Sequence, residues 1–395
     1  MLFLKFIHTS DWHIGKIVNE YYMTEDQKFV LNQLFNIIEE EKPDALVIAG
    51  DLYDRSVAPV EAIELLNDTI NKVIVDLKTP IIAIAGNHDS GERLEFASSL
   101  LKDKSFYISG TLNKNIEKIT LCDDYGNVNF YMIPYAEPAI VRALYEDKEI
   151  RDYDDAMRVI LENIKENMNK DERNVIVAHG YVTYAKDAEG KEFNSLERSD
   201  SERPLSIGGS EYINSSYFND FNYTALGHLH GRQKVGNENI RYAGSLYKYS
   251  FSEVKQKKGV NIVSLNEKGE CTVEFKEFEL RRDFRIIKGE LNNLLDKEVY
   301  SKENREDYLK VILTDEGEVL EPMRKLKMVY PNVMELTYEN SLKERSEGKE
   351  KKSFKEKSKI DLFKSFYKDV KGKECSEEGI KLMETLIENV ERKEV

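Results

Sequence analysis

The chain has 395 residues, of which 41% are hydrophobic and 33% are charged, which allows one large domain and one or two smaller modules. Its formal net charge of −15 excludes a simple basic-patch nucleic-acid binder, because phosphate contacts need Lys and Arg. We expect no membrane span and no signal peptide, and the three cysteines fit neither a disulfide framework nor a zinc site.

The first 280 residues alternate apolar, strand-like runs with amphipathic helical patterns. The chain opens with a strand at LFLKFIH and a helix over TEDQKFVLNQLFNIIEEE, in which Thr24 and Gln27 have the spacing of a capping box. The next elements are a strand at ALVIAGD, a helix that begins near Pro59 and a strand at PIIAIAGNHD. Further strands are predicted at VNFYMIPYAEP, NVIVAHG and YTALGHLH, with a helix over DDAMRVILENIKENM. Unbroken apolar strands separated by helices indicate an α/β fold whose sheet is covered on both faces.

The pattern changes after residue 280. Residues 281–340 contain strand, helix, strand, helix and strand patterns in that order, which predicts a small α+β module. The charged stretch at 341–357 has almost no apolar residues and is typical of a flexible linker.

Residues 358–395 regain apolar stripes at helical spacing and predict a pair of short helices. The stripes contain Ile360, Phe363, Phe366, Tyr367, Ile380, Met383 and Ile387. Two short helices cannot build a stable core alone, so their apolar faces must dock on another surface. The long linker favours a partner protein, and the alternative is a helical hairpin folded back on the body of this chain.

Five of the six histidines lie in short polar tips that follow apolar runs, and the sixth, His8, is expected inside the first strand. The tips contain Asp11, His13, Asp51, Asp54, Asn87, His88, Asp89, His179, His228 and His230. A single histidine at a strand end is more often structural than a ligand. Because the carboxyl ends of helix-linked strands converge on one edge of a sheet, the repeated placement predicts a common site.

The residue types in these tips indicate a metal centre. Carboxylates, an amide and imidazoles without a thiolate suit Mn²⁺, Fe²⁺ or Zn²⁺. Seven ligands are too many for one tetrahedral ion and suit two ions about 3.5–4 Å apart that share a carboxylate. The spacing of Asp11 and His13 places both side chains on one side of an extended segment, and His228 and His230 share that spacing.

The set Asp-x-His, Gly-Asp-x-x-Asp, Gly-Asn-His-Asp, His and Gly-His-x-His resembles the calcineurin-like metallophosphoesterases over residues 1–250. The stretches FIHTSDWHIGK, GDLYDRS, AGNHDS and YAGSLYKYSFSE are similar to the SbcD-type DNA-repair nuclease subunits of that superfamily. The resemblance implies a four-layer α/β/β/α sandwich over residues 1–280, a capping domain over 281–340 and a helix pair at 358–395. The helix pair would bind an SbcC-type ATPase, in a homodimer within a heterotetramer that acts in the cytoplasm at the nucleoid.

The resemblance also implies roles for the site residues. One metal ion, expected to be Mn²⁺, would be bound by Asp11, His13, Asp51 and His230. A second would be bound by Asp51, Asn87, His179 and His228. His88 would stabilise or protonate the leaving oxygen, and Asp89 would orient His88 or support the turn. Asp54 stands where some members of the family carry a histidine, and a salt bridge or a loop hydrogen bond explains it equally well.

Three functions fit these motifs. The first is a DNA nuclease subunit, with double-strand exonuclease and single-strand and hairpin endonuclease activity, working with an SMC-like ATPase in repair and recombination. The second is a metallophosphatase or phosphodiesterase, and the third is a non-catalytic scaffold, which the intact ligand set argues against. Candidate DNA contacts are Lys16, Arg55 and Arg232, whereas the KQKK run at 255–258 is better interpreted as solvated surface charge. The net charge predicts weak intrinsic DNA affinity, with the partner supplying the remainder.

Overall fold

The structure is a computed structural model that describes residues 3–184, 196–205, 211–317, 319–339 and 374–391, together with positions 360, 361, 363, 364 and 367. It divides into two compact units, Met1–Leu336 and Thr337–Val395. The predicted linker at 341–357 and Phe366 lie outside the described residues.

The first unit contains two six-stranded sheets. Across the first sheet the strands are Cys271–Glu277 (β16), Gly259–Leu265 (β15), Leu4–Thr9 (β1), Ala45–Ala49 (β4), Ile81–Ile84 (β5) and Phe106–Ser109 (β6). Across the second they are Gln233–Lys234 (β13), Ile240–Tyr242 (β14), Tyr223–Gly227 (β12), Arg173–His179 (β9), Gly126–Ile133 (β8) and Glu117–Asp123 (β7). In the first sheet β1, β4, β5 and β6 are parallel, and in the second β14, β12, β9 and β8 are parallel.

Helices cover the outer face of each sheet. Their bounds are Thr24–Glu41 (α1), Val60–Asn71 (α2), Gly91–Leu94 (α3), Ser98–Leu101 (α4), Pro138–Leu144 (α5) and Tyr153–Asn167 (α6). Alternate strand residues point to opposite faces, so Leu46 packs in the cluster with α1 and α2, whereas Val47 packs between the sheets. In the same way Ile176 packs with α5 and α6, whereas Val177 joins the cluster between the sheets. The three apolar clusters thus fill the three interfaces between four layers, and the predicted α/β/β/α sandwich is confirmed.

His8 lies inside β1, as predicted, and connects the two sheets. Its imidazole is buried, with Nδ1 3.0 Å from Tyr223 Oη and Nε2 3.2 Å from the Leu226 carbonyl oxygen. This ring belongs to the packing between the sheets rather than to the polar tips beyond the strands.

Smaller elements complete the structure. Two short strand pairs are Ile17–Val18 (β2) with Tyr21–Tyr22 (β3), and Tyr181–Thr183 (β10) with Tyr212–Asn214 (β11). A third sheet contains Phe284–Gly289 (β17), Tyr308–Leu313 (β18) and Val333–Tyr338 (β19), with the helices Leu291–Leu294 (α7), Lys297–Tyr300 (α8) and Pro322–Lys327 (α9). Its element order matches the prediction, with one additional short helix. Helix α10, Glu377–Glu391, lies in the second unit. Within the described part of the chain, no helix is both long and apolar enough to span a membrane.

The predicted capping box at the start of α1 is wrong. The helix has the predicted bounds, but its N-cap is Met23 and no side chain caps it. Gln27 is buried instead, where its Nε2 donates to the His13 carbonyl at 2.8 Å and its Oε1 accepts from the Gly15 N–H at 3.1 Å. Tertiary hydrogen bonds therefore outweigh the local capping geometry, and they fix the loop after β1 to α1.

We expect Gln27→Ala to lower the free energy of unfolding by about 1–3 kcal/mol, because it leaves buried backbone groups of that loop unpaired. Chemical denaturation of the metal-free chain would measure the loss. Asn32→Ala, which replaces an exposed side chain on the same helix, should change stability by less than about 0.5 kcal/mol. Equal effects of the two substitutions would contradict this interpretation.

Candidate metal centre

The carboxyl ends of parallel strands from both sheets meet at one edge of the sandwich. The structure brings together all seven predicted ligands there, at the end of β9 and after β1, β4, β5 and β12: Asp11, His13, Asp51, Asn87, His179, His228 and His230. Six of them are buried and Asn87 is half-buried. Hydrogen bonds join the sheets at this edge, since His179 Nδ1 lies 2.9 Å from the Ala49 carbonyl oxygen and the His228 N–H donates to Asp11 Oδ1 at 3.0 Å.

The backbone at this edge is tightly packed and unusual. A Cβ atom at Gly227 would overlap the Ala49 carbonyl oxygen, so only glycine permits this approach of the two sheets. Asp11 and His13 have φ angles of 52° and 46°, in the left-handed region. The expectation of an extended Asp-x-His segment is therefore wrong, although both side chains do reach the same site.

The ligand atoms fall into two overlapping groups. Asp11, His13 and His230 have ligand atoms within 4.8 Å of one another, and His13 Nε2 is 3.1 Å from His230 Nε2. On the other side, Asn87 Oδ1 lies 2.9 Å from His179 Nε2 and 3.2 Å from His228 Nδ1. Although His228 and His230 are only two residues apart, they point to different groups.

Asp51 lies between these groups. Its Oδ2 is 3.6 Å from His13 Nε2 and 3.5 Å from His179 Nε2. A carboxylate placed between two sets of nitrogen and oxygen donors has the position that a bridging ligand of two cations requires.

The chemistry of these residues fits divalent cations. Among the described residues, the nitrogens that face other ligand atoms are His13 Nε2 and His228 Nδ1, whereas His13 Nδ1 and His228 Nε2 are buried without a hydrogen-bond partner. Burial lowers the pKa of His13 and His228 well below the usual value, so both rings are neutral and have a lone pair to donate. Burial, and next to it the nearby negative charge of Asp89, raise the pKa of Asp51 well above its usual range, although the His88 N–H donates a hydrogen bond to it.

We expect the affinity for Mn²⁺ to rise with pH through about 7, where Asp11 loses its proton. Burial raises the pKa of Asp11 from 3.8 to about 7 in the metal-free chain, and a ligating carboxyl must release its proton. Below that pH the affinity should fall by up to about tenfold per pH unit for each proton displaced. The raised pKa has the opposite effect on the metal-free fold, whose stabilisation by the Asp11 proton is lost as pH rises through about 7.

Calorimetric titration with Mn²⁺ between about pH 5.5 and 8 tests this dependence. His13, His228 and His230 should contribute little in that range, because burial lowers the pKa of each of these three rings. An affinity that does not vary with pH would contradict the role of Asp11.

His88 lies beside the two groups and is oriented by its neighbours. Its backbone N–H donates to Asp51 Oδ1 at 2.8 Å, and its Nδ1–H donates to the Asp54 carbonyl at 2.7 Å. Since a carbonyl oxygen only accepts, the ring proton is on Nδ1 and Nε2 is available. Burial lowers the pKa of His88 to about 4.

Asp89 and Asp54 support the loops around His88. The Asp89 carboxylate accepts hydrogen bonds from the backbone N–H groups of Leu52, Tyr53 and Gly86, which is the geometry of the turn-supporting role. The Asp54 carboxylate lies 2.8 Å from Lys16 Nζ and 3.7 Å from His13 Nδ1. Asp54 therefore makes the salt bridge that was considered for it.

The cationic residues differ in their surroundings. Lys16 is paired with Asp54, whereas Arg55 is exposed. The Arg232 guanidinium lies 4.5 Å from the centroid of the Phe275 ring and lines a cleft of about 780 Å³. The interpretation of the KQKK run as solvated charge is wrong for Lys258, whose side chain is only 1% exposed.

Sequence reasoning missed four residues around His230, namely Ser201, Glu202, Glu253 and Lys258. No periodic pattern indicates them, although Glu253 is the last residue of the stretch YAGSLYKYSFSE and Lys258 the last residue of the KQKK run. Ser201 and Glu202 belong to the polar segment between β10 and β11, and the four residues come together with His230 only through long-range contacts.

Comparison with known proteins places the chain among several relatives. The family model of the calcineurin-like phosphoesterases matches residues 4–232, and the model of the Type 5 capsule protein repressor C-terminal domain matches residues 280–371. A curated relative, the D subunit of the SbcCD nuclease of Staphylococcus epidermidis, is 34% identical over 374 residues, which are 95% of each chain.

Two solved structures show weaker likeness. The protein TT1561 of Thermus thermophilus is 13% identical with a TM-score of 0.39, over 69% of this chain and 99% of that chain. A dimetal phosphatase from Danio rerio is 13% identical with a TM-score of 0.38, over 69% of this chain and 96% of that chain.

Proposed function

Because the chain belongs to the calcineurin-like phosphoesterases, and among these to the SbcD family of nuclease subunits, we propose that it cuts DNA in complex with an SbcC-type ATPase. It acts as a double-strand exonuclease and as an endonuclease on single strands and hairpins, in DNA repair and recombination. The observation that carries the proposal is the convergence of seven ligands and His88 at one edge of the sandwich. The proposed location of this nuclease activity is the cytoplasm, at the nucleoid.

The active form holds two divalent ions, which we propose to be Mn²⁺. The ligands are Asp11, His13, Asp51 and His230 for one ion and Asp51, Asn87, His179 and His228 for the other. The position of Asp51 between His13 and His179 supports the shared role. When bound, such ions lower the pKa of a water molecule and offset the negative charge of the phosphodiester.

His88 assists the departing oxygen. Its Nδ1 is held by the Asp54 carbonyl, which leaves Nε2 as the atom that donates to substrate. That role requires a second ring proton, and a phosphodiester anion beside the ring favours the protonated form.

Contacts to DNA are few in this acidic chain. The cleft next to Arg232 supports a role for that residue, since Arg198, Lys255 and Lys257 also line it. Arg55 and Lys16 are further contacts beside the centre, although Lys16 would have to leave Asp54. We expect tight binding of long duplexes only with the ATPase partner.

A single assay tests the activity. The purified chain is incubated with Mn²⁺ and end-labelled duplex, hairpin and single-stranded DNA, and in parallel with a phosphopeptide and bis(p-nitrophenyl) phosphate. Degradation of DNA that requires Mn²⁺ is the expected result. Hydrolysis of the small ester or the phosphopeptide without cleavage of any DNA would instead indicate the phosphatase function.

The remaining assignments concern the domains and the assembly. We propose a nuclease domain at 1–280, a capping domain at 281–340, a linker at 341–357 and a partner-binding helix pair at 358–395. In the second unit Leu382 and Leu386 are 65% and 50% exposed, which supports docking of α10 on a partner. Removal of residues 358–395 should abolish co-purification with the ATPase while nuclease activity on short DNA remains.

We also propose that two copies of the chain form a homodimer through an apolar surface beside α2. Ile63 and Phe96 are 49% and 81% exposed there and line a common cleft. Sedimentation of the chain and of Phe96→Glu tests this surface, and a variant that sediments like the wild type would exclude it.

A further inference from the structure

Every polar atom of His230 except Nε2, the candidate metal ligand, is in hydrogen-bond contact with a neighbouring residue. Its backbone N–H donates to Glu202 Oε1 at 2.8 Å, and its carbonyl accepts from Lys258 Nζ at 2.8 Å. Its Nδ1 lies 2.7 Å from Ser201 Oγ. The remaining atom, Nε2, lies in the candidate metal centre, 3.1 Å from His13 Nε2.

A buried ion pair lies behind Ser201. Glu253 Oε2 is 2.7 Å from Lys258 Nζ, and their side chains are 0% and 1% exposed. Lys258 Nζ also lies 2.8 Å from Ser245 Oγ and 2.8 Å from Gln256 Oε1, so its three N–H groups are surrounded by acceptors. An ammonium group this close keeps the Glu253 carboxyl ionised, so both of its oxygens can only accept hydrogen bonds.

These contacts fix the direction of the hydrogen bonds. Ser201 Oγ is 2.5 Å from Glu253 Oε1, and because that oxygen carries no proton, the Ser201 hydroxyl donates to it. The Ser201 oxygen must then accept from His230 Nδ1–H, since its only proton is already used. His230 therefore carries its ring proton on Nδ1 and has a lone pair on Nε2, which is the form that a metal ligand needs.

We propose that Ser201 is a positioning residue that fixes the tautomer and the ring orientation of His230 for a divalent cation bound with Asp11 and His13. The inference rests on the metal centre of the proposed function. It assigns a role to the described segment 196–205, which lies between β10 and β11 and carries both Ser201 and Glu202.

Calorimetric titration of the full chain with Mn²⁺ tests the proposal. Ser201→Ala should weaken one of two binding events by about 10- to 100-fold and leave the other within about threefold, as expected for loss of a group that orients a ligand. Ser201→Thr retains the hydroxyl and should bind within about threefold of the wild type at both sites.

A matched control is Ser250→Ala. The Ser250 hydroxyl donates to the same Glu253 oxygen at 3.0 Å, and among the described residues it makes no hydrogen bond to His230. This variant should retain both affinities. Unchanged affinities in Ser201→Ala would overturn the proposal while the metal centre stands, whereas a wild-type chain that binds no Mn²⁺ would overturn the centre itself.

A second measurement tests the proposed tautomer of His230 on the wild-type chain, so it does not depend on whether a variant folds. The chain has six histidines, so selective ¹⁵N labelling of histidine allows the tautomers to be assigned by NMR in the metal-free protein. His230 should show a protonated Nδ1 and an unprotonated Nε2 in the wild type, and a mixture in Ser201→Ala. The opposite tautomer in the wild type would overturn the proposal regardless of the variants.

Discussion

Asp51→Asn is expected to lower nuclease kcat/KM by at least about a thousandfold, which corresponds to about 4 kcal/mol of lost transition-state stabilisation. Asp51 lies between the two groups of ligands, 3.6 Å from His13 Nε2 and 3.5 Å from His179 Nε2. The neutral amide removes the negative charge that both cations would share. Mn²⁺ bound per chain should fall from about two to at most about one, as measured by calorimetry or elemental analysis.

The fold should survive this substitution. The amide oxygen that Asp51→Asn introduces can still accept the hydrogen bond that His88 N–H now donates to Asp51 Oδ1. A matched control is Asp44→Asn. Asp44 lies just before the opposite end of β4, and its carboxylate accepts a hydrogen bond from the Lys5 N–H. That variant should retain activity and metal content, and full activity in Asp51→Asn would disprove the shared ligand.

His88→Ala should slow DNA cleavage by about 10²- to 10⁴-fold, the usual contribution of a general acid, while both Mn²⁺ ions stay bound. The reason is that His88 is attached by its backbone N–H and its Nδ1, which leaves Nε2 for the leaving oxygen. Steady-state kinetics on a short duplex, with metal content measured in parallel, would determine both quantities.

The choice of substrate separates proton donation from metal binding. A p-nitrophenolate leaving group needs no proton, so His88→Ala should lose less than about tenfold on bis(p-nitrophenyl) phosphate. Loss of one Mn²⁺ from the variant would contradict this role. The His88 ring nitrogen would then be a ligand, which its place in a group with His13 and Asp51 also permits.

The layers of the fold and the convergence of the ligands could be predicted because both depend on where the buried strands begin and end. Buried parallel strands are continuous apolar runs, and helix α1 begins and ends where its apolar period does, at Thr24 and Glu41. Once the strands are known, their carboxyl ends define where Asp51, Asn87 and His179 must lie. Local pattern and global topology agree at these positions.

The errors occur where long-range contacts decide. Gln27 fits a capping box locally, but its amide pairs with the loop after β1. Lys258 belongs to a run that is typical of solvated charge, yet it is buried against Glu253. Ser201 reaches a histidine 29 positions later through a loop with no periodicity, so nothing in the local pattern could reveal it.

The left-handed backbone of the ligand loops has a consequence for how this chain tolerates change. Asp11, His13, Asp51 and His228 have φ angles of 52°, 46°, 53° and 107°, and such conformations cost about 1 kcal/mol or more for residues other than glycine. Glycine at these positions would relieve the cost and remove the ligand in the same step. Selection for thermal stability alone would therefore favour loss of these ligands. The enzyme retains its metal ligands although their backbone conformations make the fold less stable.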